Sequence, residues 1–534
     1  MKGMSIALAL TSGLGMRLAM MKALPQVDFD TLLYGNMARN LVQHGQFAIT
    51  DGSGVVHETL IRLPGYPLLL AACFRLFGVG NYNAVSYLQI GLELWGCLLL
   101  AAFVRRIASE AAAQWTLWLA ALCPFTAAYA VAPLTETPTL FCIALALWAL
   151  AKFLARPGWG SALAFTFAIT FAALLRPDGA LVGVALAPAL VWGLWHRVLA
   201  ARKKGFEDEE TGEDLPAGAK AHSDLNGVSA RLKSCPVTEP ERLASEPHRS
   251  PQVLPDSIPH PVTAFPDPST SRQPLFSPRP SIAAFLRMGL VCFLLAVLPF
   301  GIWAARNWRV FHVFMPLAPR YATDPGEATN PGWQRWMKTW CLDFVSTYQV
   351  YWNVPGSTLD VSQLPARAFD SPAQYARTAA LAAAYSDNGQ DLSPELDAEF
   401  GALAAERIHA HPLRYYLWLP LGRMADMWLR PRVENLNIDL DWWVYSHHNA
   451  ETRFSWAYAA LNAAYLLLAL AGLCFRPRYW QWMLLYFVLR SALLMTIEAP
   501  EARYTLECFP MVFALGGVGM AAGWARITRK HAGA

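Results

Sequence analysis

Asp28-Phe-Asp30-Thr-Leu-Leu-Tyr34-Gly-Asn-Met-Ala38-Arg39-Asn-Leu41 follows directly on an apolar run, Ser5 to Leu24. That run has close to the roughly 20 residues a bilayer-spanning helix needs. Two carboxylates where a span emerges are costly in lipid and well placed at its surface as general bases. The stretch therefore divides a membrane part from a site facing away from it. A long loop continues to Arg62-Leu-Pro64-Gly65-Tyr66-Pro67. A cleaved signal peptide is the competing reading of the first run. Arg17 and Lys22 late in it, and no A-x-A site before Asp28, favour an uncleaved span. Arg17 is expected either to snorkel to the interface or to approach the loop carboxylates.

The remaining composition agrees. The chain has 534 residues, 55% hydrophobic and 15% charged, with 21 Trp and 27 Phe, which is too apolar and aromatic for an ordinary soluble protein. A net charge of +4, with Lys and Arg at span ends, gives no support to nucleic-acid binding. The nine Cys are scattered, mostly in apolar runs and without a CxxC pair, and read as small buried hydrophobes.

Further spans are predicted at Ala84–Val104, Ala112–Val131, Pro138–Leu154, Ser161–Leu175, Ala180–Leu194 and Ala283–Ala305. Trp456–Phe475, Trp480–Ile497 and Cys508–Trp524 complete the set. The fold class is thus an all-α polytopic membrane protein of about ten transmembrane helices. Arg105-Arg106, Lys152 with Arg156, His196 to Lys204, Arg476 with Arg478, and Arg526 to Lys530 all fall on one side, expected to be the cytoplasm. Tyr415–Leu429 carries Arg423 and Asp426 and would break that parity as a span, so it reads as an interfacial or re-entrant helix.

Five regions follow. Residues 1–200 form an N-terminal bundle with a catalytic first outer loop at 25–80. Residues 201–281, holding thirteen of the 37 prolines and the run Glu207 to Glu210, are expected to be a disordered cytoplasmic linker. Residues 282–305 form a transmembrane helix, and 306–453 a small α-rich extracytoplasmic subdomain with a helical pattern over Ala373–His411. Residues 454–534 hold the C-terminal spans.

Charges of mixed sign converge on the outer ends of spans: Asp28, Asp30, Arg62, Glu136, Arg176, Asp178, Arg306, Glu498, Glu501 and Arg503. Intramembrane or interfacial acids and arginines are functional candidates, and carboxylates with arginine suit a phosphorylated lipid substrate. Helix capping and span bridging are the duller alternative for Asp178, Glu498 and Glu501. Trp333, Trp336, Trp340, Tyr348, Tyr351 and Trp352 either stack on sugar rings or anchor the interface. His57, His409, His411, His447 and His448 show no ligand spacing and read as loop histidines.

Asp30-x-x-x-Tyr34-x-x-x-Ala38, then Gly45, Arg62-Leu-Pro-Gly-Tyr-Pro-Leu and Leu76-Phe-Gly78, resembles the first outer loop of GT-C superfamily membrane glycosyltransferases. It is similar to the bacterial family 39-like group, the protein mannosyltransferases and aminoarabinose transferases. Glu136, Arg176-Pro177, Arg306-Asn307 and Glu501-x-Arg503-Tyr504 continue the resemblance through the membrane part. It implies inverting transfer of a sugar from a polyprenyl-phosphate donor to a lipid, glycan or protein acceptor. The site would face the periplasm or exterior from the cytoplasmic membrane. Asp30, with Asp28, is implied as catalytic. Tyr34, Arg62, Glu136, Arg176, Arg306, Glu501, Arg503 and Tyr504 are implied as substrate-binding, Arg176 and Arg503 toward the donor phosphate. Thr31 stands where many relatives carry a second acid, so Asp28 either substitutes for it or that role is absent. No cofactor is certain, and a divalent cation stays open. The rival class is a transporter or flippase of lipid-linked sugars, which usually shows paired halves and midplane charges. A membrane scaffold is the third.

Overall fold

The computed structural model describes residues 3–24, 27, 29–210 and 282–532. It is almost wholly helical, and among the described residues seven helices are long and apolar enough to cross a membrane. Residues of Met1–Val198 and Ala283–Ala534 form one unit, and Leu199–Ile282 is set apart from it as a second. Of the second, the described part is the last turns of a helix that runs Ala180–Glu210, and Ile282. The remainder of the expected linker, 211–281, lies outside the described residues, as does Asp28.

In the large unit the first span is α1 (Gly3–Ala23), and the first outer loop is a structured module. It comprises α2 (Phe29–His44), a hairpin of β1 (Ala48–Thr50) and β2 (Val56–Glu58), and α3 (Gly65–Phe77). The hairpin pairs antiparallel in register Ala48↔Glu58. Asp51 accepts the Ser53 and Val55 amide hydrogens, which closes the turn. Asn40 donates to the Ala48 carbonyl and Asn36 accepts from the Thr50 amide, which seats the hairpin on α2.

Next come α4 (Tyr82–Ile107), α5 (Glu110–Ala121), α6 (Pro124–Val131), α7 (Glu136–Ala155), α8 (Trp159–Leu175), α9 (Ala180–Glu210) and α10 (Ile282–Phe311). The stretch read as one span over Ala112–Val131 is two helices. Pro124 lacks an amide hydrogen and opens the second at its first position. The helix expected to end at Ala305 continues to Phe311.

The polar segment that follows holds α11 (Pro331–Lys338), a single turn α12 (Phe344–Ser346), α13 (Pro372–Asp387) and α14 (Pro394–Ala410). They share a core of Trp333, Trp336, Trp340, Tyr385 and Phe400. The three tryptophans are therefore packing residues and not sugar-facing ones. Buried Arg407 donates to the Arg367 and Ala368 carbonyls and ties α14 to the loop before α13. Then α15 (Leu419–Leu429) buries Arg423 against the Lys338 and Cys341 carbonyls while Leu421 and Leu429 stay exposed. It continues directly from the helical turn Arg414–Trp418. The chain ends with α16 (Asn449–Cys474), α17 (Trp480–Leu494) and α18 (Phe509–Ala532).

The membrane core is α4, α5, α7, α8, α16 and α18. At Gly472 a Cβ would collide with the Leu515 carbonyl, so α16 and α18 meet backbone to backbone, as small residues permit in membranes. The described cysteines of the core, Cys73, Cys97, Cys123, Cys142 and Cys508, are buried and unbridged.

Arg17 neither snorkels nor reaches the loop. It is fully buried, 2.5 Å from Glu93 on α4, and donates to the Gly13 and Ala121 carbonyls. A guanidinium inside a bundle needs a counter-charge, and Glu93 was the available one. Glu93→Gln is expected to cost about 3–5 kcal/mol by stranding Arg17, and the Arg17→Leu, Glu93→Leu double variant to recover most of it. Thermal midpoints in detergent check this.

Candidate functional site

The site lies where helices start or stop on the side opposite their basic ends. α7 begins at Glu136, α8 ends before Arg176, α17 ends at Leu494, and residues 502–508 wind as a 3-10 turn into α18. Arg105, Arg106, Lys152 and Arg526 occupy the other ends of α4, α7 and α18. The Arg478 amide donates to the Ile107 carbonyl, so the α16–α17 turn shares that basic side.

A cavity of about 550 Å³ opens between these helix ends. Asp30 and Tyr34 from α2, Arg62 ahead of α3, and Thr135 and Glu136 at the start of α7 line one part. Arg176, Pro177 and Asp178 come from the turn between α8 and α9, and Glu498, Arg503 and Tyr504 from the α17–α18 connection. Arg320, Tyr351 and Trp352 close it from the polar segment.

Charges alternate across the floor. Arg503 Nη2 donates to Asp30 Oδ2 at 3.0 Å, and Arg62 Nη2 stands 3.7 Å from Asp30 Oδ1. Arg503 Nε lies 2.5 Å from Glu501, which also accepts the Tyr504 hydroxyl. Arg176 donates to Glu136 at 3.0 Å and Asp178 at 3.3 Å, and stands 3.3 Å from Glu507. Behind it Arg490 pairs with Asp178 and with Glu507 (3.0 Å) and donates to the Tyr504 carbonyl. Glu136, Glu501, Glu507 and Arg490 are buried, and their partners hold them in place.

Burial pushes the Asp30 carboxyl up, but the Arg503 and Arg62 guanidiniums outweigh it and hold Asp30 below the usual carboxylate range. Tyr34 packs edge-on to Tyr66 with ring centroids 5.1 Å apart, and Tyr66 donates to Gln89 at 2.9 Å. That packing fixes the α2 face carrying Asp30.

The structure thus brings together Asp30, Tyr34, Arg62, Glu136, Arg176, Arg503 and Tyr504, with Glu501 directly beneath. Arg306 is elsewhere. It donates to the Phe47 and Thr59 carbonyls, pairs with Glu58 at 3.5 Å and clamps the hairpin to α10. Two members of the network, Arg490 and Glu507, escaped the sequence reading. A lone arginine in the apolar run Trp480–Ile497 was the available signal. Thr31, in place of a second acid, is buried and donates to the Pro133 carbonyl. Among the loop histidines, His57 pairs with Asp51 at 2.9 Å.

Residues 62–206 match the family model of dolichyl-phosphate-mannose-protein mannosyltransferases. The family 39-like glycosyltransferase resemblance is borne out over that stretch, which includes Arg62, Glu136 and Arg176. No curated protein matches the chain. Two solved structures of ArnT from Cupriavidus metallidurans are similar at 14% identity. The undecaprenyl-phosphate-bound form covers 98% of this chain and 78% of its own, with a TM-score of 0.37. The apo form covers 97% and 76%, with a TM-score of 0.33. Likeness at that distance transfers no residue.

Because the Asp30 carboxyl is lowered, its ion pairs stabilise the fold fully above the ordinary carboxylate value of about 4. That contribution fades as pH falls through the lowered native value. Asp30→Asn is expected to cost about 1–2 kcal/mol at pH 5–8, the gap to wild type closing below about pH 4. Thermal midpoints across pH measure it.

Proposed function

We propose that the chain is an inverting membrane glycosyltransferase that moves a sugar from a polyprenyl-phosphate donor to a hydroxyl acceptor on the outer face of the cytoplasmic membrane. The single observation that carries this reading is Asp30. It is an ionised carboxylate on the wall of a polar cavity at the helix ends, held between two guanidiniums and open enough to meet a substrate. The family description over residues 62–206 names a polyprenyl-phosphate sugar as donor, and the segregation of basic helix ends away from the cavity supports an outward site.

Each arginine has a different freedom. Arg176 and Arg503 are each shared by several carboxylates, which fix their guanidiniums at the cavity floor. Arg62 is paired only loosely with Asp30 and is 28% exposed, so it can turn toward an incoming phosphate. Once it does, Asp30 loses part of what lowers its pKa and becomes a better base. Asp30 then takes the acceptor hydroxyl proton while that oxygen attacks the anomeric carbon from the face opposite the phosphate. The sugar–phosphate C–O bond breaks, and the polyprenyl phosphate leaves with the electron pair against the arginine floor. No nucleophilic residue is needed. Tyr351 and Trp352 supply aromatic faces to the sugar.

The test is transfer of radiolabel from a polyprenyl-phosphate hexose in isolated membranes. Asp30→Asn should lower the rate about 10²–10⁴-fold with insertion unchanged. Arg62→Ala should raise the donor KM and move the acid limb of the pH profile upward, because one of the charges that lowers Asp30 is gone. Wild-type transfer by Asp30→Asn would refute the role of Asp30.

A further inference from the structure

We propose that Asp439, His448 and Glu451 form a divalent-cation site at the start of α16, with zinc the ion their donor set fits best. His448 Nδ1 stands 3.5 Å from Asp439 Oδ2 and 3.9 Å from Glu451 Oε2, and the three donor atoms lie within 4.8 Å of one another. Ligands about 2.0–2.2 Å from a tetrahedral zinc are themselves about 3.3–3.5 Å apart, so small side-chain adjustments close the set around an ion. On the far side of the ring, Asp441 Oδ1 is 3.1 Å from Nε2. A carboxylate behind the non-ligating nitrogen is the arrangement that orients metal-bound imidazoles.

Charge gives the driving force. Three carboxylates face one imidazole, and among the described residues no arginine or lysine pairs with any of them. A protonated His448 supplies one positive charge at most, which leaves the cluster anionic, whereas a divalent ion answers both its charge and its lone pairs. The mixed nitrogen and oxygen set, with three protein ligands, suits zinc above calcium or magnesium, which take more oxygens.

A cavity of about 430 Å³ opens beside Asp439 and Asp441. Its lining includes Glu434, whose Oε1 pairs with Arg430 Nε at 3.0 Å. An ion with three protein ligands keeps a position for water, which that cavity admits. The backbone already holds the site together, since the Asp439 amide donates to Glu451 Oε2 at 3.1 Å. Metal there would pin the loop before α16 to its first turn.

The test uses the intact protein in detergent, stripped with chelator and titrated calorimetrically with zinc chloride, with magnesium chloride in parallel. The expected result is one zinc per chain, bound in preference to magnesium. His448→Ala and the Asp439→Asn, Glu451→Gln double variant should each weaken it at least tenfold, and Asp441→Asn about tenfold. His57→Ala, at an exposed histidine outside the cluster, should leave the isotherm unchanged. Zinc should raise the thermal midpoint of wild type and of neither cluster variant. Absence of zinc binding by wild type, or a wild-type isotherm from either folded cluster variant, would overturn the proposal. The readout needs no transferase activity, so it stands or falls apart from the reading of the Asp30 cavity.

Discussion

Four arginines and five carboxylates share one patch at the cavity floor, and the order in which they pair fixes most of what surrounds it. Arg503 joins the last outer turn to Asp30 on the first outer module, and Arg176 joins the α8–α9 turn to Glu136 and Glu507. Arg490 reaches from α17 to Asp178. Taking any of these charges from water alone is costly, so each segment is held by the opposite charge another segment supplies. The patch is built from residues more than 400 positions apart in the chain.

The membrane sets where such a patch can exist. Helix interiors in lipid tolerate few charges, and the basic helix ends are drawn to one side. What remains is the opposite set of helix ends, where water and headgroups reach the chain. The polar segment 312–448 covers these ends, and Lys338 reaches from its α11 to Glu498 at the cavity rim. A donor with a long apolar tail and a phosphate has both its halves accommodated by that boundary.

Much of this was readable in the sequence, for a physical reason. Asp30, Glu136, Arg176, Glu501 and Arg503 stand at span ends where orientation gives no cause for charge, and all five meet. Arg306 carried the same local signal but serves the hairpin, because only its tertiary neighbours, the Phe47 and Thr59 carbonyls, decide its use. Trp333, Trp336 and Trp340 could equally have faced sugar or core, and a compact subdomain settled it. Arg17 looked interfacial because its partner Glu93 lies 76 positions away. In the first outer loop α2 was hidden by its modest hydrophobicity and α3 by its shortness, and the break at Pro124 by an otherwise unbroken apolar run. The His448 cluster gave no spacing signal, since its acids straddle a loop and a helix start.

The central claim, that Asp30 serves sugar transfer from a lipid phosphate, is tested most directly by lipid mass spectrometry. A strain lacking the protein would be complemented with wild type or with Asp30→Asn at matched membrane levels. A polyprenyl-phosphate sugar should accumulate in the deletion, clear with wild type and persist with Asp30→Asn. Lipid pools unchanged by the deletion, or fully restored by Asp30→Asn, would contradict the account.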